Sequence, residues 1–175
     1  MFNENAKAGG VYKVVCHDAN GNLKWETDFE DNLVVNVGLQ DMNDKYFSGA
    51  SYTAAWYLGL ITGPGSGTTI SASDTMSSHA GWSEDTNYSQ STRPACSFGA
   101  ATTADPSVIT NSGSPASFSI NGTTTVAGAF LTSNNTKGGT TGILFSASDF
   151  QSPGDRSVVS GDTLTVTYTF SLDAA

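Results

Sequence analysis

The sequence predicts an all-β protein, a jelly-roll-like antiparallel β-sandwich with one or two short helices. Three observations lead there. Ser and Thr supply 23 and 22 of the 175 residues and Gly another 19, while charged residues make up only 13 %, about half the ~25 % of an average domain. Aromatic residues are plentiful, with 9 Phe, 6 Tyr and 3 Trp, which excludes charge-driven disorder. Strand-length runs bounded by turn-forming pairs recur along the chain, and no sustained helical period competes with them.

The elements follow in order. Residues 1–10 end in Gly9-Gly10 and read as an N-terminal arm, followed by one sandwich domain over 11–175. Val11–Cys16 and Leu23–Phe29 flank Asn20-Gly21, a hairpin signal because that pair accepts the left-handed turn. Val35, Leu39, Met42 and Tyr46 are spaced by four, three and four residues, which predicts a helix over 36–47 with Asn36 as its cap and Gly49 as its stop. Ala54–Ile61 (AAWYLGLI) is an unbroken apolar run and reads as a buried strand; the glycine-rich 63–67 ends it as a loop. Asp74 opens a second, short helix leading to Trp82.

The C-terminal half reads as successive strands. Ala95–Ala100, Ala116–Ile120, Thr123–Leu131 and Gly142–Ala147 are candidates, with Asn121-Gly122 closing a second hairpin. After a turn at Ser160-Gly161-Asp162, Thr163–Phe170 alternates strictly. Leu164, Val166, Tyr168 and Phe170 therefore face inward and the threonines outward. Trp56, Tyr57, Leu58 and Phe130 join them as core by pattern. Eight strands with uneven connections suit a jelly roll.

Charge narrows the function. The net charge of −9 disfavours direct contact with nucleic acid, which needs a basic face, and with an anionic membrane surface. No apolar run approaches the ~20 residues that span a bilayer, and the polar start of the chain does not read as a signal peptide. Without such a signal, the sequons at Asn87, Asn121 and Asn134 carry no weight. Cys16 and Cys96 are too few for a disulfide framework and read as free, buried thiols.

Motifs for chemistry are sparse. Asp18-Ala-Asn20-Gly-Asn22 opens like a calcium loop, but the sixth and twelfth positions are Leu23 and Phe29, and the flanks are strands. Cys16 and His17 are adjacent on a strand and point to opposite faces. The 63–67 loop has no Gly-Lys-Ser/Thr after it and is no phosphate cradle. Glu26, Asp28 and Glu30 alternate, beside Asp31, and would share one strand face, which is the raw material of a paired-carboxylate glycosidase but reads better as a solvated strand edge. With two His in the chain, general acid–base work is poorly supplied. The sequence points to no catalytic residue, no metal site and no cofactor.

A set of strings, in order, resembles a family of tailed-bacteriophage structural proteins, the head decoration or capsid cement proteins. They are Asn32–Met42 (NLVVNVGLQDM), Ala54–Ile61, Asp74-Thr-Met76 with Gly81-Trp82, Ser91-Thr-Arg93-Pro94, Gly128–Thr132, Lys137–Gly142 and Ser160–Val166. The resemblance covers roughly residues 11–170. The resemblance implies a jelly-roll-like domain, homo-oligomerisation as a dimer or trimer, contact with the major capsid protein, and a place on the outer surface of a phage head after synthesis in the host cytoplasm.

Residues and resemblance agree on a non-catalytic binding module. The expected contacts are Phe2, Gly9 and Gly10 in an arm that orders on binding, and Trp82, Tyr88 and Arg93, aromatic and guanidinium side chains in irregular polar sequence. Two other classes stand beside this one. A tail or fibre-associated receptor- or glycan-binding module would show aromatics on an exposed face. A carbohydrate-active enzyme would show two carboxylates about 5–10 Å apart in a cleft.

Overall fold

A computed structural model of the chain describes residues 6–52, 55–62, 68–151 and 154–174. The chain runs through β1 (Ala6–His17), β2 (Leu23–Glu26), β3 (Glu30–Asp31), β4 (Leu33–Val34), α1 (Asn36–Phe47), β5 (Tyr57–Thr62) and β6 (Ser83–Asp85). It continues with β7 (Ser107–Thr110), β8 (Ala116–Ser119), β9 (Thr124–Val126), β10 (Gly128–Thr132), β11 (Leu144–Asp149), β12 (Arg156–Val158) and β13 (Thr163–Ala174). The result is an all-β, jelly-roll-like antiparallel sandwich with one helix among the described residues.

The first sheet is built on two long strands. β1 and β13 pair over twelve residues, from Ala6↔Ala174 to His17↔Thr163. The free edge of β13 is shared end to end, with β8 on Thr163–Val166 and β7 on Thr169–Leu172. Asn111 fills the break between them. Its side-chain amide accepts from Tyr168 N–H at 2.7 Å and donates to the Val166 carbonyl at 3.2 Å, so a buried side chain continues the ladder where no strand runs. The outer edge of β1 is shared in the same way by β2 and β3. The second sheet has the order β4-β11-β10-β5-β6, and β9 pairs with β12 apart from both.

The two sheets are buried differently, and the sequence patterns show why. Along β13 every second residue is buried, with Leu164, Val166 and Tyr168 inward and threonines outward. β10 is buried at every position and β5 at its four central ones. One face of that sheet, through Leu58, Leu60 and Leu131, meets Tyr12, Val14, Phe118 and Leu164 of the first. Its other face, through Ile61, Phe130, Leu144 and Ala147, is covered by Val35, Met76 and Trp82. A sheet covered on both sides needs apolar residues without alternation, which is the AAWYLGLI pattern. Each such fully buried side chain contributes about 1.5–3 kcal/mol.

α1 spans the residues the spacing predicts, but its seat is different. The cap is Val35, buried and without a side-chain cap bond, and not Asn36, whose N–H donates instead to the Ala72 carbonyl at 2.9 Å. The helix lies on β11 at Gly38, where a Cβ would stand 2.4 Å from the Phe145 carbonyl oxygen. At its far end the chain turns through Gly49 (φ +67°), and Ala50 N–H closes back on the Asp44 carbonyl at 3.1 Å.

Several expectations are corrected. Residues 6–10 are no arm but the first five residues of β1, paired with Phe170–Ala174. Asp74 starts no helix; its carboxylate accepts from Ser71 N–H and from the Trp82 indole, each at 3.0 Å. Ala95–Ala100 is not a strand, and only Ala95 bridges to Tyr57. Asn121-Gly122 makes no hairpin: β8 pairs with β13, and β9 pairs with β12. The Thr123–Leu131 run breaks into β9 and β10 around Ala127, whose N–H donates to the Ile61 carbonyl at 2.8 Å. The acidic alternation is broken too. β2 stops at Glu26, which pairs with Lys13 at 3.0 Å, whereas Glu30 is buried and accepts from Gln151 N–H at 3.2 Å. The 63–67 loop and Ala54 lie outside the described residues.

Candidate functional site

A cleft of about 550 Å³ opens between α1, the start of β5, residues 95–98, β7 and the middle of β13. Its walls are Trp56, Tyr57, Phe98, Ile109, Leu131, Phe145, Tyr168 and Phe170, and its rim carries Asp41, Met42, Lys45 and Tyr52. The walls are held by backbone bonds where no strand exists. Leu58 N–H donates to the Pro94 carbonyl at 2.9 Å and Cys96 N–H to the Trp56 carbonyl at 2.8 Å, fixing residues 94–96 beside β5. The rings brace one another edge to face, Trp56 on Phe145 and Phe145 on Phe170, each with centroids 5.4 Å apart. Volume and lining match a ligand or side-chain pocket.

Beneath the cleft the polar groups are internally bonded. The Tyr12 and Tyr168 rings tilt together at 4.6 Å. Ser146 Oγ contacts both hydroxyls, at 2.8 and 3.3 Å, and Asn32 donates to Tyr168 at 3.0 Å. Burial raises the pKa of both tyrosines, so both stay neutral. Burial alone pushes the Cys96 thiol up to about 12. Burial first, and then Asp162, pushes Cys16 up to about 11. Both thiols are free and protonated at neutral pH, the opposite of an activated nucleophile.

Beside the cleft, aromatic side chains stand in solvent. Tyr46 and Phe47 end α1 with 83 % and 78 % of their surfaces exposed, their rings edge to face at 4.9 Å. Tyr52 on the rim is 68 % exposed. Lys45 and Asp41 approach at 3.8 Å, and the Lys45 ammonium also reaches the Ser51 carbonyl, tying the rim to the segment that follows the helix.

The residues expected to make contacts are mostly elsewhere, and inside. Arg93 is buried; its Nε and Nη2 donate to the two Glu84 oxygens at 2.9 and 2.6 Å, and its Nη1 and Nη2 donate to the Asn134 and Gly139 carbonyls, each at 2.8 Å. Its guanidinium also lies 5.3 Å from the Phe130 ring centre. Tyr88 is buried edge-on against Phe118, with its pKa raised by burial first and by Glu84 next. Trp82 is buried, stacked on His79 at 3.9 Å. These three are internal struts of one end of the sandwich rather than surface contacts. Four of the five N–H donors of Arg93 are used on one carboxylate and two carbonyls, and the side chain is buried, so it stands as an internal clamp and not as a surface contact.

Gly9 and Gly10 lie in the β1–β13 ladder, opposite Ser171 and Phe170. A Cβ on Gly10 would stand 2.8 Å from both the Thr169 carbonyl and the Tyr168 hydroxyl, so the glycine serves close packing. Phe2 lies outside the described residues. On the outer side of β1, β2 and β3 take residues from Val11 to His17, and the Gly10 carbonyl accepts from Asn32 N–H at 3.0 Å. Among the described residues no strand pairs with Ala6–Gly9 on that side.

The cleft itself was missed by sequence reasoning, which placed Trp56 and Phe170 in the core. A signal existed: Tyr46, Phe47, Tyr52, Trp56 and Tyr57 fall within one short stretch, too many aromatics for one helix end and one strand to bury. Among the described residues no cluster of three His, Cys, Asp or Glu could hold a metal ion, and no helix is long and apolar enough to cross a membrane. Comparison with protein-family models, with curated proteins and with solved structures finds no match.

Proposed function

We propose that this chain is a non-catalytic virion protein, a capsid decoration or cement protein that binds the outer surface of a phage head and stabilises contacts between major capsid protein subunits. The observation that carries the reading is how the side chains are sorted. The groups that chemistry would draw on are already engaged within the chain: Arg93 with Glu84 in the interior, Lys24 with Asp162 at 2.5 Å at the surface, His79 on Trp82, and both thiols buried. Large apolar side chains are left outward, around α1 above all. That is the surface of a module that binds proteins. The resemblance of the ordered strings to decoration proteins is what favours a virion over other protein-binding roles.

The unpaired edge of β1 at Ala6–Gly9 gives the capsid contact a mode. A strand of the capsid subunit adds to this edge, and the small side chains of Ala6, Ala8, Gly9 and Gly10 let its backbone approach. Repetition at symmetric positions multiplies a weak single contact into avidity. The net charge of −9 keeps the decorated particle soluble.

The test mixes purified protein with heads that lack it. Co-sedimentation in copies proportional to the capsid subunit, with a higher temperature of head rupture, is the expected result. Binding at one vertex only would move the protein to the tail. A second reading has one feature in its favour: Tyr52 and Asp41 stand at the mouth of a cleft that Trp56 helps to wall, as a sugar-binding platform would. Saturable binding of a glycan by the isolated chain, without binding to heads, would select the tail or fibre-associated module instead.

A further inference from the structure

We infer that the aromatic cleft receives Tyr46 and Phe47 from a second copy of this chain, each copy giving its helix end and accepting its partner's. The inference rests on reading the α1 surface as a protein-docking surface, and it names the occupant.

The exposed rings and the hole belong to one patch. Met42 and Lys45 line the cleft, while Tyr46 and Phe47, the last residues of the same helix, stand free in solvent. A foreign partner requires only one of these two features. A two-fold contact between identical chains requires both, side by side, because whatever one copy inserts the other must also insert. The chemistry matches as well. The cleft walls are aromatic and aliphatic, so the complement is an apolar, ring-bearing group, and the two rings already sit edge to face as rings in the cleft do.

The rim supports the same occupant. Asp41 and Lys45 carry opposite charges at the mouth, so a partner of the same sequence brings a charge pair complementary to this one. Within one chain they stand 3.8 Å apart, near the limit of an ion pair, and Lys45 also reaches the Ser51 carbonyl. With a net charge of −9, two copies repel in most orientations, so a contact that forms must be a specific one.

Two variants test this in the full chain. Tyr46→Ser with Phe47→Ser removes the inserted rings, and Ser97→Trp, at an exposed position on the cleft lining, blocks the hole. Thermal melts show that each variant folds. Mass is read by light scattering across a concentration series. The wild-type chain is expected at twice 18.1 kDa, and each variant alone at half the wild-type mass. An equimolar mixture of the two variants returns to the doubled mass, because the rings of one still find the open cleft of the other. A wild type that stays single, a ring-less variant that keeps the doubled mass, or a mixture that stays single overturns the inference. A single wild-type chain whose tryptophan emission shifts on adding a sugar gives the cleft to a glycan instead. The head-binding reading fails separately: it is lost if the chain does not sediment with heads, whatever its own mass.

Discussion

The two ends of this sandwich carry similar residues and treat them in opposite ways. Around Glu84, Trp82, Tyr88 and Arg93 come from irregular, polar sequence, and all three are buried. Around α1, Leu39 and Tyr46 come from a regular helical period that reads as a core face, and both are exposed. The difference teaches that irregular sequence does not mean surface. A loop can be closed by one well-placed fork of hydrogen bonds, as Arg93 closes the loop that contains Asn134 and Gly139. A helix can be regular and still have too little sheet beneath it, since α1 rests on β11 at Gly38 and its last residues reach past that support.

The largest test of this contrast is Arg93→Met. It leaves the Glu84 carboxylate buried without its cation, and a loss of about 3–5 kcal/mol in urea unfolding is expected. A loss within about 0.5 kcal/mol, the range of ordinary surface changes, would erase the distinction between the two ends. Next comes Gly38→Ala. The added methyl meets the Phe145 carbonyl, so α1 must lift from β11, costing about 1–3 kcal/mol and weakening self-association, because the cleft wall moves with the helix.

Asp149→Asn is smaller and opposite in sign. The carboxyl of Asp149 is raised above its ordinary value of 3.8, first by burial and then by the charges of Asp155 and Glu30. A raised value means the folded state holds the proton more tightly. Ionisation therefore costs stability as pH rises through that raised value, and nothing is lost below 3.8. The variant should melt slightly higher than wild type at neutral pH, with the gap closing as pH falls toward 3.8. A gap that is constant with pH would mean that packing, not charge, sets it. The smallest effect belongs to Tyr46→Ser with Phe47→Ser. In dilute solution its unfolding free energy should lie within about 0.5 kcal/mol of wild type, because these rings touch little but each other. A larger loss would show that the open end is part of the core after all.

Much of the fold is legible where one physical signal acts alone. Thr163–Phe170 alternates because one face meets the core and the other meets water. Asn20-Gly21 turns because Gly21 takes a positive φ of 83°. The same dipeptide at Asn121-Gly122 misleads, because a turn signal reports a local preference and not which edge is open. Ile120 N–H donates to the Asp162 carbonyl at 2.8 Å, and Gly122 is not among the left-handed glycines, so the chain passes on toward the other sheet. Ser107–Thr110 escapes notice because it is a short edge strand whose place is kept by Asn111, a contact across more than fifty residues. The cleft is the least legible feature. Trp56 and Phe170 look like core in any window, and only the positions of α1 and residues 95–98 leave their edges open.

One consequence of the β1–β13 pairing concerns mechanical load. Ala6 sits opposite Ala174, so the two ends of the described chain leave the sandwich at neighbouring points. The ladder's hydrogen bonds run across the strands. Tension applied between those ends loads them one rung at a time, like a zip. Tension along β1 against the rest of the sheet loads all of its rungs at once. A particle that strains this protein through an added strand on the Ala6–Gly9 edge pulls in the second direction. Stretched singly, the molecule should yield at much lower force when held by Ala6 and Ala174 than when held by Ala6 and Thr163, which sit on the two strands at opposite ends of the ladder.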